Sequence, residues 1–192
     1  MGNSPLTERL PKVLNSARVY EGSYFHVDHD RLRFSDGVES DHSIVRHPGA
    51  VAIVALLDDN RWLLVEQYRH GPGLRTLEIP AGTRELGEEP AVTARRELRE
   101  ETGYDARSLV RLGGSWMAPG FTDEYIDFYL ATDLFDSPLD SGDEHDLSVP
   151  IAIISDELGA AIAKGEIEDA KTIVAFSLYG YYLQGAVNNV RN

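Results

Sequence analysis

Glu97, Glu100 and Glu101 crowd into five consecutive positions of one charged stretch, GTRELGEEPAVTARRELREETGY, which runs from Gly82 to Tyr104. At about 100° per residue in a helix, the three carboxylates fall within about a 100° arc of one face. Like charges so placed repel. Arg95, Arg96 and Arg99 offer one remedy, a solvated face laced with ion pairs. A hard divalent cation offers another, since such ions take oxygen ligands and Mg²⁺ suits carboxylates together with phosphates and water. Just upstream, Pro80-Ala81-Gly82 reads as a strand end turning into a glycine loop, and Glu88 stands at the junction of loop and helix. One backbone carbonyl and several carboxylates could therefore converge on a single point.

The elements that must position these groups follow from pattern. Residues 89–102 read as a helix, with Pro90 in the first turn and Gly103 as its stop. Ala91, Ala94 and Leu98 give it an apolar stripe to lay on a sheet. AVAIVALL (Ala50–Leu57) and WLLVEQY (Trp62–Tyr68) read as strands joined at Asp58-Asp59-Asn60. Thr76–Pro80, Leu109–Trp116, Glu124–Ala131 and Val149–Ile154 are further strand candidates. Ser155–Lys164 and Asp169–Gln184 read as helices, with Ser155 and Asp169 as expected N-caps. Asp133–Ser148 is polar and acidic, a loop. Ahead of all this, residues 1–16 read as a loose arm, and Val19–Arg46 as short strands with a hairpin turn at Ser35-Asp36-Gly37. That unit is too small to bury a core alone. The expected class is α+β, with an arm and antiparallel β unit over residues 1–47, serving dimerisation, and a main domain over 48–192.

Composition narrows the function. The formal net charge is −14 over 192 residues, so a phosphate backbone or an anionic membrane is a poor partner. There is no cysteine, which excludes disulfides and thiolate metal sites. No stretch approaches the roughly 18 apolar residues of a membrane span or has the form of a signal peptide. These features lead to the expectation of a cytoplasmic protein. The six histidines form no ligand motif.

Gly82, Glu88, Arg96-Glu97-Leu98, Glu100-Glu101 and Gly103 keep the spacing of the 23-residue Nudix box, which this stretch closely resembles. Tyr104 alone departs, standing where an aliphatic residue is usual. VEQYR (Val65–Arg69), LEIPAG (Leu77–Gly82), APGFTDE (Ala118–Glu124) and GEIEDAKTIVAF (Gly165–Phe176) are similar to the ADP-ribose pyrophosphatase branch of Nudix hydrolases, so the likeness spans roughly residues 18–185. The resemblance implies an α/β/α sandwich around a mixed β-sheet, with the box as loop–helix–loop. It implies Mg²⁺- or Mn²⁺-dependent cleavage of the pyrophosphate in ADP-ribose or a related nucleoside diphosphate sugar, giving AMP and ribose 5-phosphate. The chain's negative charge is consistent with this, because an anionic substrate needs cations to approach an acidic site.

By the same resemblance, Glu97 and Glu101 would be metal ligands with the Ala81 carbonyl, and Glu100 a ligand or a bridge to a second ion. Arg96 and Glu88 would brace the loop against the helix. The general base would be Glu100 or a carboxylate on the acidic loop, at Glu144 or one position on, where His145 stands; Glu124 is a further candidate. Arg69 could pair with phosphate. Glu78 could accept from a ribose hydroxyl or tie down the sheet edge. Gly120 and Phe121 could line the distal ribose site. Tyr24 and Arg46 could hold the base, in the resembled branch from the partner of a homodimer. Other substrates remain open: GDP-mannose, another nucleotide sugar, a flavin or a dinucleotide. A catalytically silent Nudix domain acting as a ligand-binding regulator is the third reading; the intact box carboxylates argue against it.

Overall fold

The structure, a computed structural model, describes residues 10–139 and 149–185. It resolves into two compact units. One contains the described residues up to Pro48 together with Ala118–Glu124; the other contains Gly49–Met117 and the described residues from Tyr125 onward.

The first unit is an antiparallel meander of β1 (Lys12–Glu21), β2 (His26–Arg33) and β3 (Glu39–Arg46). The expected turn joins β2 to β3: Gly37 takes φ 86°, a left-handed conformation that suits glycine. Asp36 Oδ1 accepts the Val38 amide at 3.0 Å. The expected loose arm is shorter than residues 1–16, because β1 begins at Lys12, opposite Arg33 of β2. Most of its side chains are exposed, so it carries no alternating signature; backbone pairing alone makes it a strand. Ala118–Glu124 joins this unit through backbone bonds from Val45 N–H to the Phe121 carbonyl and from Asp123 N–H to the Val45 carbonyl.

The second unit holds β4 (Ala50–Ala55), β5 (Trp62–Arg69), β6 (Leu74–Glu78), β7 (Ala81–Thr83), α1 (Pro90–Thr102), β8 (Tyr104–Trp116), β9 (Tyr125–Asp136), β10 (Ile151–Ile153), α2 (Ser155–Lys164) and α3 (Ala170–Leu183). One sheet runs β7-β4-β9-β8, with β4 and β9 parallel and the other pairs antiparallel; a second runs β10-β5-β6. Every residue of β4 is buried, as a continuous apolar run predicts for a strand covered on both faces. Val51, Ile53 and Ala55 pack with Ala94 and Leu98 of α1. Ala50, Ala52 and Val54 face the other way, in the cluster with Leu158 and Ala161 of α2 and Ala175 of α3. The expected α+β fold, helices on both faces of a mixed sheet, is what forms.

Several local expectations shift. Ala91 is exposed, and Thr93, Ala94 and Leu98 make the buried stripe instead. The helix over 155–164 is capped from Ile154, not Ser155. The Ser155 hydroxyl instead accepts the Trp62 Nε1 proton at 2.9 Å, which holds α2 on β5. Asp169 caps α3 as expected, accepting the Thr172 amide at 2.9 Å. β8 and β9 each run beyond the apolar stretches that announced them, and their register slips between Arg111 and Gly113, a bulge that breaks the alternation.

Candidate active site

The box loop and helix assemble around a close approach. β6 ends at Glu78, two residues cross to the other sheet, and β7 opens with Ala81 and Gly82. A side chain at Gly82 would overlap the Glu97 carboxylate, so the glycine is required by space. Pro90 opens α1, and Gly103 closes it at φ 77° with its amide on the Arg99 carbonyl. These two signals fix where the helix starts and stops, and the packing of Ala94 and Leu98 on β4 sets the face on which the glutamates lie.

Arg96 braces the loop. Its Nε and Nη2 donate to the two Glu88 carboxylate oxygens at 3.3 and 3.1 Å, and Nη2 also donates to the Thr83 carbonyl at 3.2 Å. This pairing holds the Glu88 carboxyl down at about 2. The remaining Arg96 nitrogen, Nη1, lies 2.6 Å from Glu97 Oε1 and 3.0 Å from Glu100 Oε2. One guanidinium thus serves three carboxylates, which is how the protein tolerates the crowding on its own.

Glu101 is held differently. Its oxygens accept from Gln67 Nε2 at 2.6 Å and from the Ala81 amide at 2.9 Å. Both donors are neutral. Burial pushes the Glu101 carboxyl up to about 8, and the neighbouring Glu97 charge adds to it, against the pull of the two donors and of the more distant Lys171 charge. Burial also raises Glu97, beyond what Arg96 offsets. Among the described residues no three His, Asp or Glu side chains are gathered as a finished ligand cage. The site suits a divalent cation by the type of its donors: two carboxylates whose ionised forms burial makes costly, with Glu101 in hydrogen-bond contact with no cation and sensing Lys171 and Arg69 only at a distance.

Arg69, at the end of β5, donates through Nε to Glu78 Oε1 at 2.9 Å and through Nη2 to the other oxygen, a bidentate pair. Its guanidinium is half-buried and also senses the Glu101 charge. Glu78 is only 2% exposed and takes further hydrogen bonds from Thr76 and Lys171. Burial alone would raise its pKa; Arg69 and Lys171 reverse that and hold it at about 2.

The second unit therefore brings together Ala81, Glu97, Glu100 and Glu101, with Arg69 and Glu78 at the strand ends beside them. Tyr24, Arg46, Gly120, Phe121 and Glu124 belong to the first unit. There Tyr24 is exposed and edge-on to Phe25 and His47. Arg46 pairs with Asp28, Asp30 and Asp123 at 3.3, 2.9 and 3.2 Å. Gly120 faces open space, Phe121 is 58% exposed, and the Glu124 amide donates to Thr122. Glu144 and His145 lie outside the described residues. Sequence reasoning did not single out Gln67 or Lys171. Gln67 lies inside the VEQYR stretch and Lys171 inside the GEIEDAKTIVAF stretch; that shared likeness was the one signal for either, and neither Glu101, the partner of Gln67, nor Glu78, a partner of Lys171, is near in sequence.

Comparison with known proteins decides the family. The model of the NUDIX domain matches residues 46–174. This chain belongs to the Nudix family. The "Methanol dehydrogenase activator" of Bacillus methanolicus is 38% identical over 165 residues, covering 85% of this chain and 89% of that one. The "ADP-ribose pyrophosphatase" of Bacillus subtilis is 35% identical over 176 residues, covering 90% and 92%. Among solved structures, an ADP compounds hydrolase superposes with a TM-score of 0.81 at 26% identity, covering 91% of this chain and 95% of that one. The chain is thus a Nudix hydrolase, of a family whose members generally use divalent metal ions, and no described helix is long and apolar enough to cross a membrane.

Proposed function

We propose that this Nudix hydrolase is a cytoplasmic, Mg²⁺-dependent pyrophosphatase that hydrolyses ADP-ribose, or a closely related nucleoside diphosphate sugar, to AMP and ribose 5-phosphate. The observation that carries the reading is the Glu101 carboxylate, enclosed beside Glu97 and met only by neutral donors. Similarity to the ADP-ribose pyrophosphatase of Bacillus subtilis over 90% of this chain supports the substrate class.

Glu97, Glu101, Glu100 and the Ala81 carbonyl would hold the ion. Bound there, Mg²⁺ (or Mn²⁺) would supply positive charge that polarises a phosphoryl oxygen and makes water easier to deprotonate. The chain's own groups do the rest. Arg96 keeps Glu97 and Glu100 apart from full repulsion, Gly82 lets the loop approach Glu97, and Gln67 and the Ala81 amide fix the Glu101 carboxyl group. Water adds to phosphorus, the bridging P–O bond breaks, and a carboxylate takes the proton from the water. We assign that base to Glu144, with Glu100 and Glu124 as the comparison. Arg69 keeps part of its guanidinium exposed for a phosphate oxygen. For Glu78, of the two readings, the buried partners support tying down the sheet edge. Tyr24, with Gly120 and Phe121, offers exposed surface for base and ribose, whereas the three carboxylates on Arg46 support a bracing role within its unit. The exposed Val13, Val19, Tyr20 and Val38 of the small β unit support a homodimer formed through it; light scattering that gives a monomer at micromolar concentration overturns that part.

The test is a panel of ADP-ribose, GDP-mannose, other nucleotide sugars, FAD and dinucleotides with Mg²⁺, ranked by kcat/KM. ADP-ribose should lead, EDTA should abolish turnover, and Glu144→Gln should lower kcat with KM little changed. Absence of pyrophosphate cleavage across the panel, or full activity in EDTA, overturns the reading.

A further inference from the structure

The step from one sheet to the other takes only Ile79 and Pro80, between the end of β6 and the start of β7. Its backbone groups are held from three directions. Ile79 N–H donates to the Thr172 hydroxyl at 3.0 Å, in the first turn of α3. The Pro80 carbonyl accepts the Ile53 amide of β4 at 2.8 Å. Ala81 N–H donates to Glu101 of α1 at 2.9 Å. The holds from β4 and α1 are direct. The hold from α3 is built from side chains: Thr172 Oγ1 also donates to Asp169 Oδ2 at 2.6 Å, and Asp169 caps the helix through the Thr172 amide at 2.9 Å. Lys171, buried between them, donates to Glu78 and to Asp169 Oδ1 at 3.0 Å. Thr172 is wholly buried, so its hydroxyl and the Ile79 amide have no water to fall back on.

Resting on the metal-dependent pyrophosphatase reading, we propose that Thr172 and Lys171 are positioning residues: the first turn of α3 clamps Glu78-Ile79 and thereby sets where Ala81 meets Glu101. Neither side chain touches the reacting atoms. Thr172 acts on the Ile79 amide, two residues ahead of the Ala81 amide. Lys171 fixes Glu78 from the first turn of α3. Displacing this short crossing moves Ala81, and Glu101 then loses one of its two donors and its fixed orientation. Groups that orient metal-binding side chains in this way are commonly worth 10- to 100-fold in affinity or activity.

The experiment compares Thr172→Val, which keeps shape and removes the hydroxyl, with Thr172→Ser, which restores it, and Lys171→Met with Lys171→Arg. Three readouts are taken: steady-state kinetics on ADP-ribose, Mn²⁺ binding followed by electron paramagnetic resonance without substrate, and amide hydrogen exchange at Ala81 with Val54 as a core reference. In Thr172→Val, kcat should fall about tenfold or more with KM within twofold, Mn²⁺ affinity should weaken about tenfold, and Ala81 exchange should accelerate more than Val54 exchange. Thr172→Ser should return all three toward the wild type. If Ala81 and Val54 accelerate together while Mn²⁺ affinity and kcat stay at wild-type values, α3 contributes stability alone and the clamp is overturned. Should Thr172→Val fail to fold, the lysine pair decides by amide exchange, which reads the clamp apart from the direct pull of the Lys171 charge on Glu101: Ala81 accelerating more than Val54 in Lys171→Met and recovering in Lys171→Arg supports the clamp, and equal acceleration overturns it. If the wild type cleaves no nucleoside diphosphate, the pyrophosphatase reading falls, and Mn²⁺ binding and amide exchange still decide the clamp.

Discussion

Glu78 and Glu101 are both enclosed carboxylates of one unit, on either side of the two-residue crossing, and they are treated in opposite ways. Glu78 is met by Arg69 and Lys171 and sits at about 2. Glu101 is met by an amide side chain and a backbone N–H and sits at about 8. A buried charge with its own counterions is a finished structural contact. A buried carboxyl with no cation in contact is one whose ionised form the fold makes costly, and such groups concentrate where an ion or substrate completes them. The difference separates scaffold from site more cleanly than burial does, since both groups are shielded from water.

The strongest way to break this comparison is to neutralise each carboxylate. Glu101→Gln or Glu97→Gln should lower kcat by on the order of a hundredfold or more, above the usual effect of groups that only orient ligands. Metal-free stability, followed by urea unfolding, should stay level or rise, because each change replaces a carboxyl whose ionised form burial disfavours with a neutral amide of the same shape. Unchanged turnover would place both glutamates with the scaffold.

Glu78→Gln should do the reverse. It leaves Lys171, 8% exposed, and Arg69 without their shared counterion, a loss on the order of 3–5 kcal/mol. Acid should reproduce the effect. A carboxyl held at about 2 against an ordinary value of 4.5 contributes stability that is fully present above about 4.5. That contribution is lost as pH falls from there through about 2, on the order of 3 kcal/mol. Urea midpoints of wild type and Glu78→Gln, taken from pH 6 downward, should converge. Parallel curves would show that Glu78 is not the group titrating.

These two groups were not equally legible in the sequence. The box helix announced itself locally: Pro90 starts it, Gly103 stops it, and the face carrying Glu97, Glu100 and Glu101 follows from helical period alone. The buried run Ala50–Ala55 was equally plain. The neutralisation of Glu78 was not, because Lys171 lies 93 residues away and joins only through the packing of α3 on the sheet. Gln67 was hidden for a related reason: its role depends on a strand placing it under α1, 34 residues on. The length of β8 and β9 was obscured because their paired extensions, Tyr104–Ser108 and Thr132–Asp136, include polar and charged residues that no apolar run announces. Periodicity reveals what a segment does with itself; which distant charge meets which is decided by tertiary packing.

The smallest expected effect sharpens the contrast within one hairpin. Arg75 and Glu66 also face each other across β5 and β6, at 3.0 Å, with side chains 63% and 48% exposed. By distance alone this pair resembles Arg69–Glu78, at 2.5 Å on the same two strands. Water screens it, and holding two long side chains in one geometry costs entropy, so pairs of this kind couple by about 0.2–1 kcal/mol. A double-mutant cycle with Arg75→Ala and Glu66→Ala should therefore return a coupling below about 1 kcal/mol that shrinks further in high salt. The same cycle on Arg69 and Glu78 should return a clearly larger value that salt scarcely alters. Equal couplings would mean that neutralisation by a near cation, without enclosure, explains Glu78, and the distinction drawn between the two buried carboxylates would then rest on Glu101 alone.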